Sequence, residues 1–433
     1  LSVRAKQQKI RTQGAWGRRP AASAAPASTF AGLLKPLIAP PPSQVDAAAL
    51  SSAPLAHLDY PAELRVKDTG LRLFWKHYRM TGWPESVVAS PRPRGYRTTS
   101  KRRTIFRGSR LCLLFGDKAG RLQEKQAFSP SPLEPPEHEH IYRFLQQKLS
   151  EPPFRLAAAH MNYLIIRGSY TQRAVIFNVD MLNGPLVRKL KMLAVHLQTL
   201  PSTVSAAFVY LDPSGSDYYL ESRRPADTLH FKKLFGPDRL AVVYEGRQYL
   251  FHSTSFSQIN ESMVPILLNR GRELLAPTGD GHLLDLYCGY GLFSHYLAPL
   301  YKQVLAIDAE GPSIRAAKAN SRLNKGRGSR PKFLDRRITE GLFARELAAP
   351  AAPENILLDP PRQGPLPGVI SILSRRCPQK VLHIFCGVDQ IPAALKEWQA
   401  NGLRVRRIVP LDMFPGSANL EVLILLTPGK HIE

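Results

Sequence analysis

Cysteine is scarce in this chain. Four occur in 433 residues (Cys112, Cys288, Cys377 and Cys386), scattered and with no Cys-x-x-Cys pair. That spacing argues against a disulfide framework, a zinc knuckle and a four-thiolate iron–sulfur cluster, and points to a reducing compartment. Long apolar runs are missing too. No stretch approaches the roughly 18–20 uninterrupted apolar residues that cross a bilayer, which argues against a spanning helix or a membrane role. Acid is short throughout: 34 Asp and Glu stand against 59 Lys and Arg, a formal charge of +25, and no acidic residue occurs from Leu1 to Val45. A surplus of that size names a polyanion as partner, because basic side chains that neutralise phosphates release condensed counterions and bind nucleic acid whatever its sequence. A basic ribosomal-type scaffold and a membrane-surface protein share the signature, so charge gives a class of partner and no activity. What is present is core material. Hydrophobic residues make up 44% of the chain, too much for a wholly disordered protein, and the length suits about two to three domains.

Composition divides the chain near residues 57 and 250. Residues 1–57 carry Arg4, Lys6, Lys9, Arg11, Arg18, Arg19 and Lys35 among alanine, serine and proline, ending near Pro40–Pro41–Pro42. Such a mixture cannot bury enough surface to fold. An organelle transit peptide, an RNA-binding arm and a solvated tail all fit it; the expected location is cytoplasmic, or mitochondrial or plastid in the first case. Residues 58–250 read as mixed α/β. Strands are expected at Ile105–Phe115, Ala174–Val179 and Val204–Leu211, a proline-marked loop at Ser129–Pro136, and a closing hairpin from Leu240–Tyr244 to Gln248–His252.

Regularity sharpens from Asn260. A helix to Leu275 leads into the apolar strand Leu283–Tyr287, and strands recur near Val304–Ile307, Lys332–Leu334, Ile356–Leu358, Lys380–Phe385, Val405–Leu411 and Val422–Leu426. Helical stretches between most of them predict a mostly parallel sheet covered on both faces. Only Asp412–Leu420 joins the last two strands, too short for a parallel crossover, so that pair should be antiparallel. Residues 251–433 therefore read as a doubly wound, seven-stranded, Rossmann-like sheet of the class I methyltransferase type.

The chemistry-bearing residues gather at strand ends. Leu283-Leu284-Asp285-Leu286-Tyr287-Cys288-Gly289-Tyr290-Gly291 is a strand, a Gly-x-Gly turn and a helix start, where Gly289 and Gly291 let backbone approach a ligand. The third glycine of a dinucleotide fingerprint would fall at Ser294, which disfavours a pyrophosphate. Asp308 ends the second strand, where a carboxylate can hold ribose hydroxyls, and this suits an adenosine cofactor without a diphosphate such as S-adenosylmethionine. Asp359-Pro360-Pro361 ends the fourth strand with an acid and a stiff rim, in the crevice where open α/β sheets bind ligands. Cys386 ends the fifth strand and Glu421 starts the seventh. Core packing fits each of them, and so do the roles of nucleophile and base. Upstream, Arg92, Arg94, Arg97, Lys101, Arg102, Arg103, Arg107 and Arg110 form a basic run with Tyr96 and Phe106 interleaved and no acid between Glu85 and Asp117. Phosphate contact plus stacking on unpaired bases would use such a run, making residues 58–250 an RNA-recognition region.

Together these motifs resemble one family, the S-adenosylmethionine-dependent RNA uracil-C5 methyltransferases, which make 5-methyluridine in tRNA and large-subunit rRNA. The resemblance rests on Phe256-Ser257-Gln258-Ile259-Asn260, the Asp285–Ser294 turn, Asp359-Pro360-Pro361-Arg362-Gln363-Gly364, and Asp412-Met413-Phe414-Pro415 followed by Glu421, with Ser90-Pro91 and Tyr96-Arg97 upstream. It implies that Cys386 adds to carbon 6 of a uracil and Glu421 removes the carbon 5 proton. It further implies that Gln258, Tyr287, Gly289, Gly291, Asp308 and Asp359 surround the cofactor, and that Arg97, Lys101, Arg102, Arg103 and Arg362 meet the RNA. No metal is implied. The chain departs from the family pattern at Phe385-Cys386-Gly387-Val388 (usually Ser-Cys-Asn-Pro), at Asn419-Leu420 before the base (usually with a histidine), and at Leu292 in the glycine turn. A catalytically silent RNA-binding or ribosome-assembly factor, and a methyltransferase acting on protein or a small molecule, are the competing readings.

Overall fold

A computed structural model describes residues 29–43, 50, 53–107, 110–115, 128, 130–200, 204–213, 215, 231–309, 311–324, 329–347, 349–350 and 352–429. The transit-peptide reading falls largely on residues 1–28, outside that set. Composition predicts no fold for residues 1–57, and here the structure differs. Thr29 caps the short helix α1 (Phe30–Leu34), whose Phe30 and Leu34 are fully buried against α2 (Tyr60–His77). Phe30 meets the Phe74 ring edge-on at 6.2 Å. Two well-placed apolar residues suffice to dock a segment whose overall composition is that of a tail. Although α2 lies in the stretch read as RNA-recognition region, its Leu71, Phe74 and Trp75 pack beneath the C-terminal sheet.

Strands β1 (Thr99–Arg107), β2 (Arg110–Leu114), β3 (Met161–Gly168), β4 (Arg173–Val179), β5 (Val204–Leu211) and β6 (Phe231–Phe235) form a six-stranded sheet in the order β2-β1-β3-β4-β5-β6. The expected single strand Ile105–Phe115 is instead a hairpin: Arg107 of β1 pairs with Arg110 of β2 in an antiparallel ladder. Helices α3 (Pro136–Ser150), α4 (Arg155–Ala159) and α5 (Gly184–Gln198) cover one face of this sheet through Tyr142, Leu145, Leu190 and Leu193. The expected closing hairpin is present as β7 (Arg239–Tyr244) and β8 (Arg247–His252).

The C-terminal sheet holds β9 (His282–Leu286), β10 (Gln303–Asp308), β11 (Lys332–Asp335), β12 (Glu354–Leu358), β13 (Lys380–Phe385), β14 (Leu403–Leu411) and β15 (Glu421–Pro428). Its order is β11-β10-β9-β12-β13-β15-β14. The first five strands pair in parallel, and β15 runs antiparallel to both neighbours, as the short Asp412–Leu420 connection requires. Helices α6 (Val264–Leu275), α7 (Leu292–Leu297) and α8 (Pro312–Leu323) lie on one face, with α9 (Glu340–Arg345), α10 (Val369–Ser374) and α11 (Ile391–Ala400) on the other. One apolar cluster runs from β3, β4 and β5 through the β7–β8 hairpin to Leu283, Leu382 and Leu423, so the two sheets share a core.

Candidate active site

Side chains along a strand alternate between faces. Leu283, Val304, Leu357, Leu382, Ile384, Leu423 and Leu425 all lie in the core shared with the N-terminal sheet. Two-residue steps from them reach Asp285, Asp308, Asp359, Cys386 and, backwards along β15, Glu421. All five therefore turn to one face, at the edge where the parallel strands end. Phe385 pairs with Val422, which sets Cys386 beside Glu421 across the antiparallel ladder.

The glycine turn is built on left-handed backbone. Tyr287, Gly289 and Gly291 have φ of 63°, 56° and 84°, and the Tyr287 amide donates to the Ile307 carbonyl at 2.9 Å. Asp308 holds the turn from below: its carboxylate accepts from the Gly289 amide at 2.7 Å and the Ala309 amide at 2.6 Å. A Cβ on Gly289 would meet nothing within 4 Å, whereas one on Gly291 would lie 2.9 Å from the His295 ring. The backbone at Gly289 thus faces open space, a bare cradle.

Acid dominates this edge of a strongly basic chain. Burial pushes Asp308 up to about 6 and Asp285, which accepts from the Ser294 hydroxyl, up to about 7. Asp359 keeps part of its surface open, yet the protein crowding it, with the charge of Asp308, raises it to about 7. Glu421 is buried and rises to about 8, first by desolvation and then by Asp359, with Arg362 opposing. The half-buried Cys386 thiol is pushed up to about 12 by burial, then by Glu421 and Asp359, again against Arg362. Crowded carboxyls with raised values are a site that gains from a bound cation. Asn419 steadies the cysteine by donating to the Cys386 carbonyl at 3.1 Å.

The remaining expected residues divide. Gln258 is buried in the segment between β8 and α6, whose Ile259 carbonyl accepts from the Thr98 amide at 2.9 Å. Arg97 bridges to Asn260 and donates to the Thr99 carbonyl at 3.0 Å, beside Gln258. Arg362 is exposed at the rim and bears on both Cys386 and Glu421. Lys101 and Arg103 share one face of β1. Arg102 points the other way, and the expectation that it meets RNA is corrected. Its side chain is fully buried, forms a two-pronged pair with Glu134 at 3.0 and 2.8 Å, and lies 3.8 Å over the Phe115 ring. Its charge is spent inside the fold. Asp285 and Asn419 join the site without having been singled out; the parity of β9 would have found the first. Among the described residues no cluster of His, Cys, Asp and Glu could hold a metal, and no helix is long and apolar enough to cross a membrane.

Comparison with known proteins fits this geometry. Residues 173–329 match the tRNA (uracil-5-)-methyltransferase family. A 23S rRNA (uracil(1939)-C(5))-methyltransferase of Marinomonas posidonica is 31% identical over 183 residues, 42% of this chain and 40% of that protein. Over these stretches the chain is similar to RNA uracil-C5 methyltransferases. Another of these relatives, an uncharacterised RNA methyltransferase of Thermosynechococcus vestitus, is 31% identical over 206 residues, 45% of this chain and 44% of that protein. The chain spans less than half the length of either. The structure of the Pyrococcus abyssi tRNA (uracil-54, C5)-methyltransferase, in complex with S-adenosyl-L-homocysteine, superposes with a TM-score of 0.60 at 22% identity. It covers 86% of this chain and 84% of that one, and places both in one fold.

Proposed function

We propose that this protein methylates carbon 5 of a uridine in tRNA or rRNA, using S-adenosylmethionine and a transient covalent bond to Cys386. The observation that carries the reading is the pairing of Cys386 and Glu421 across the β13–β15 ladder, on the face where Asp285, Asp308 and Asp359 converge. The residues suit the cofactor: the open cradle at Gly289 admits backbone contact, Asp308 holds that turn and Asp359 is close enough to feel its charge, and Tyr287 of the same turn and the buried Gln258 are the further residues proposed to meet the cofactor. When bound, S-adenosylmethionine supplies the methyl group, and its sulfonium carries the positive charge that the crowded carboxylates favour.

Carbon 5 of uracil is a weak nucleophile. Addition of the Cys386 thiolate to carbon 6 turns the ring into an enolate and makes carbon 5 electron-rich. After carbon 5 has gained its methyl group, the Glu421 carboxylate takes the carbon 5 proton, the carbon 5–carbon 6 double bond re-forms, and the sulfur leaves as thiolate. Arg362 favours both ionised forms, opposing the effect of burial. The uridine must leave its stack to expose both carbons, and Arg97, Lys101 and Arg103 are the basic residues proposed to hold the surrounding RNA. Residues 251–433 would form the methyltransferase domain.

Transfer of labelled methyl from S-adenosylmethionine to unmodified RNA, followed by nucleoside analysis, tests the reading. The expected product is 5-methyluridine, absent with Cys386→Ala. Tight RNA binding with no methyl transfer would replace it with the assembly-factor reading.

A further inference from the structure

Glu421 does not stand on β15 alone. Its ladder partner is Leu411, the last residue of β14, and between them runs the connection 412–420. The start of that connection is fastened from outside the C-terminal sheet. The Asp412 amide donates to the Val88 carbonyl at 2.9 Å, Asn260 donates to the Met413 carbonyl at 3.2 Å, and Tyr96 donates to the Pro415 carbonyl at 3.0 Å. Helix α2 supplies the rest. Lys67, wholly buried, donates to Asp412 at 2.7 Å and to the Phe414 carbonyl at 3.2 Å, and pairs with Glu63 at 2.8 Å. Glu63 in turn accepts from the Gly416 amide.

Lys67 is therefore the one residue of the group that grips the connection at two points and neutralises two buried acids while doing so. A buried ammonium is costly unless paired and hydrogen-bonded, and here its three protons have three oxygen partners. Beyond this clamp the chain runs on to Asn419, which holds the Cys386 carbonyl, and then to Glu421. The family match at residues 173–329 includes neither end of the clamp.

We infer that Lys67, through Asp412, is a positioning residue for Glu421, fixing the carboxylate that takes the carbon 5 proton; the inference rests on the proposed role of that glutamate. Loss of the clamp then acts late in the cycle. Thiolate addition and methyl transfer still proceed, but the step in which the carbon 5–hydrogen bond breaks, its electron pair re-forms the double bond and sulfur is expelled becomes slow.

The test uses the full chain, labelled S-adenosylmethionine and pooled unmodified tRNA and rRNA transcripts. It compares wild type, Glu421→Gln, Lys67→Met and the double variant Lys67→Met/Asp412→Asn, which leaves no unpaired Asp412 charge, while Glu63 keeps its pair with Arg94 at 2.9 Å, and so guards against misfolding. Both Lys67 variants are expected to keep a wild-type first burst of methyl transfer, to turn over about 100-fold more slowly, as a misplaced group does, and to accumulate the methylated protein–RNA adduct that Glu421→Gln accumulates. A burst and a steady rate that shrink together, with no adduct in the folded double variant, would make Lys67 merely structural and overturn the inference. Absence of adduct in Glu421→Gln would instead overturn the reading of the site, and the inference with it.

Discussion

The Cys386 thiol, the proposed nucleophile, is held near 12 in the free protein by burial and two neighbouring carboxyls. The sign of each neighbour is checkable. Removing the Glu421 charge lowers the thiol, and removing Arg362 raises it. With Cys377, the exposed cysteine, replaced by serine, iodoacetamide alkylation of Cys386 at one fixed, mildly alkaline pH should be about tenfold faster in Glu421→Gln and about tenfold slower in Arg362→Ala. On the proposed reading, steady-state turnover should also decline as pH falls through about 8, where Glu421 takes up a proton and can no longer remove the carbon 5 proton. The positions of Cys386 and Glu421 at strand ends were legible in the sequence, but their shared face and raised values needed the ladder. Arg102 was not legible: its partner Glu134 lies 32 residues away, and a run of basic residues hides the alternation that sends one of them inward.

The glycine turn separates two kinds of glycine. Gly289→Ala meets no atom within 4 Å, so its cost to the fold is the left-handed backbone alone, about 1–2 kcal/mol. Its methyl group projects into the cradle, and calorimetry should show S-adenosylmethionine binding lost while the thermal midpoint falls only modestly. Gly291→Ala collides with His295 and should lower the midpoint further. The strand–helix alternation after Asn260 was readable because each apolar run is long enough to be a buried strand and is bounded by turn residues. The β1–β2 hairpin was missed although Gly108–Ser109 is a two-residue hairpin signature. Helix α1 was missed because composition averages over the few residues that dock.

A formal charge of +25 over the whole chain contrasts with the carboxyls gathered at one sheet edge, Asp285, Asp308, Asp359 and Glu421: the surplus suits a polyanion, that edge a cation. On the proposed reading RNA affinity falls linearly with salt on a log–log plot, and Lys101→Ala/Arg103→Ala should flatten that slope in a filter-binding titration. Arg102→Leu should leave the slope unchanged and instead cost about 3–5 kcal/mol of stability in a denaturant melt, since it strands the buried Glu134. The parallel character of the sheet followed from the strand–helix alternation and the antiparallel last strand from the length of its connection, whereas the strand order and the shared core of the two sheets did not, because contacts between distant segments leave no local periodicity. The chemistry proposed for the whole molecule requires that every methyl gained at carbon 5 displaces one proton there, by way of the Cys386 adduct. RNA transcribed with uridine carrying tritium at carbon 5 reports that exchange as tritium in water. One tritium released per methyl transferred, and none with Cys386→Ala, is the predicted result; methyl transfer without tritium release, or release that survives loss of Cys386, would contradict it.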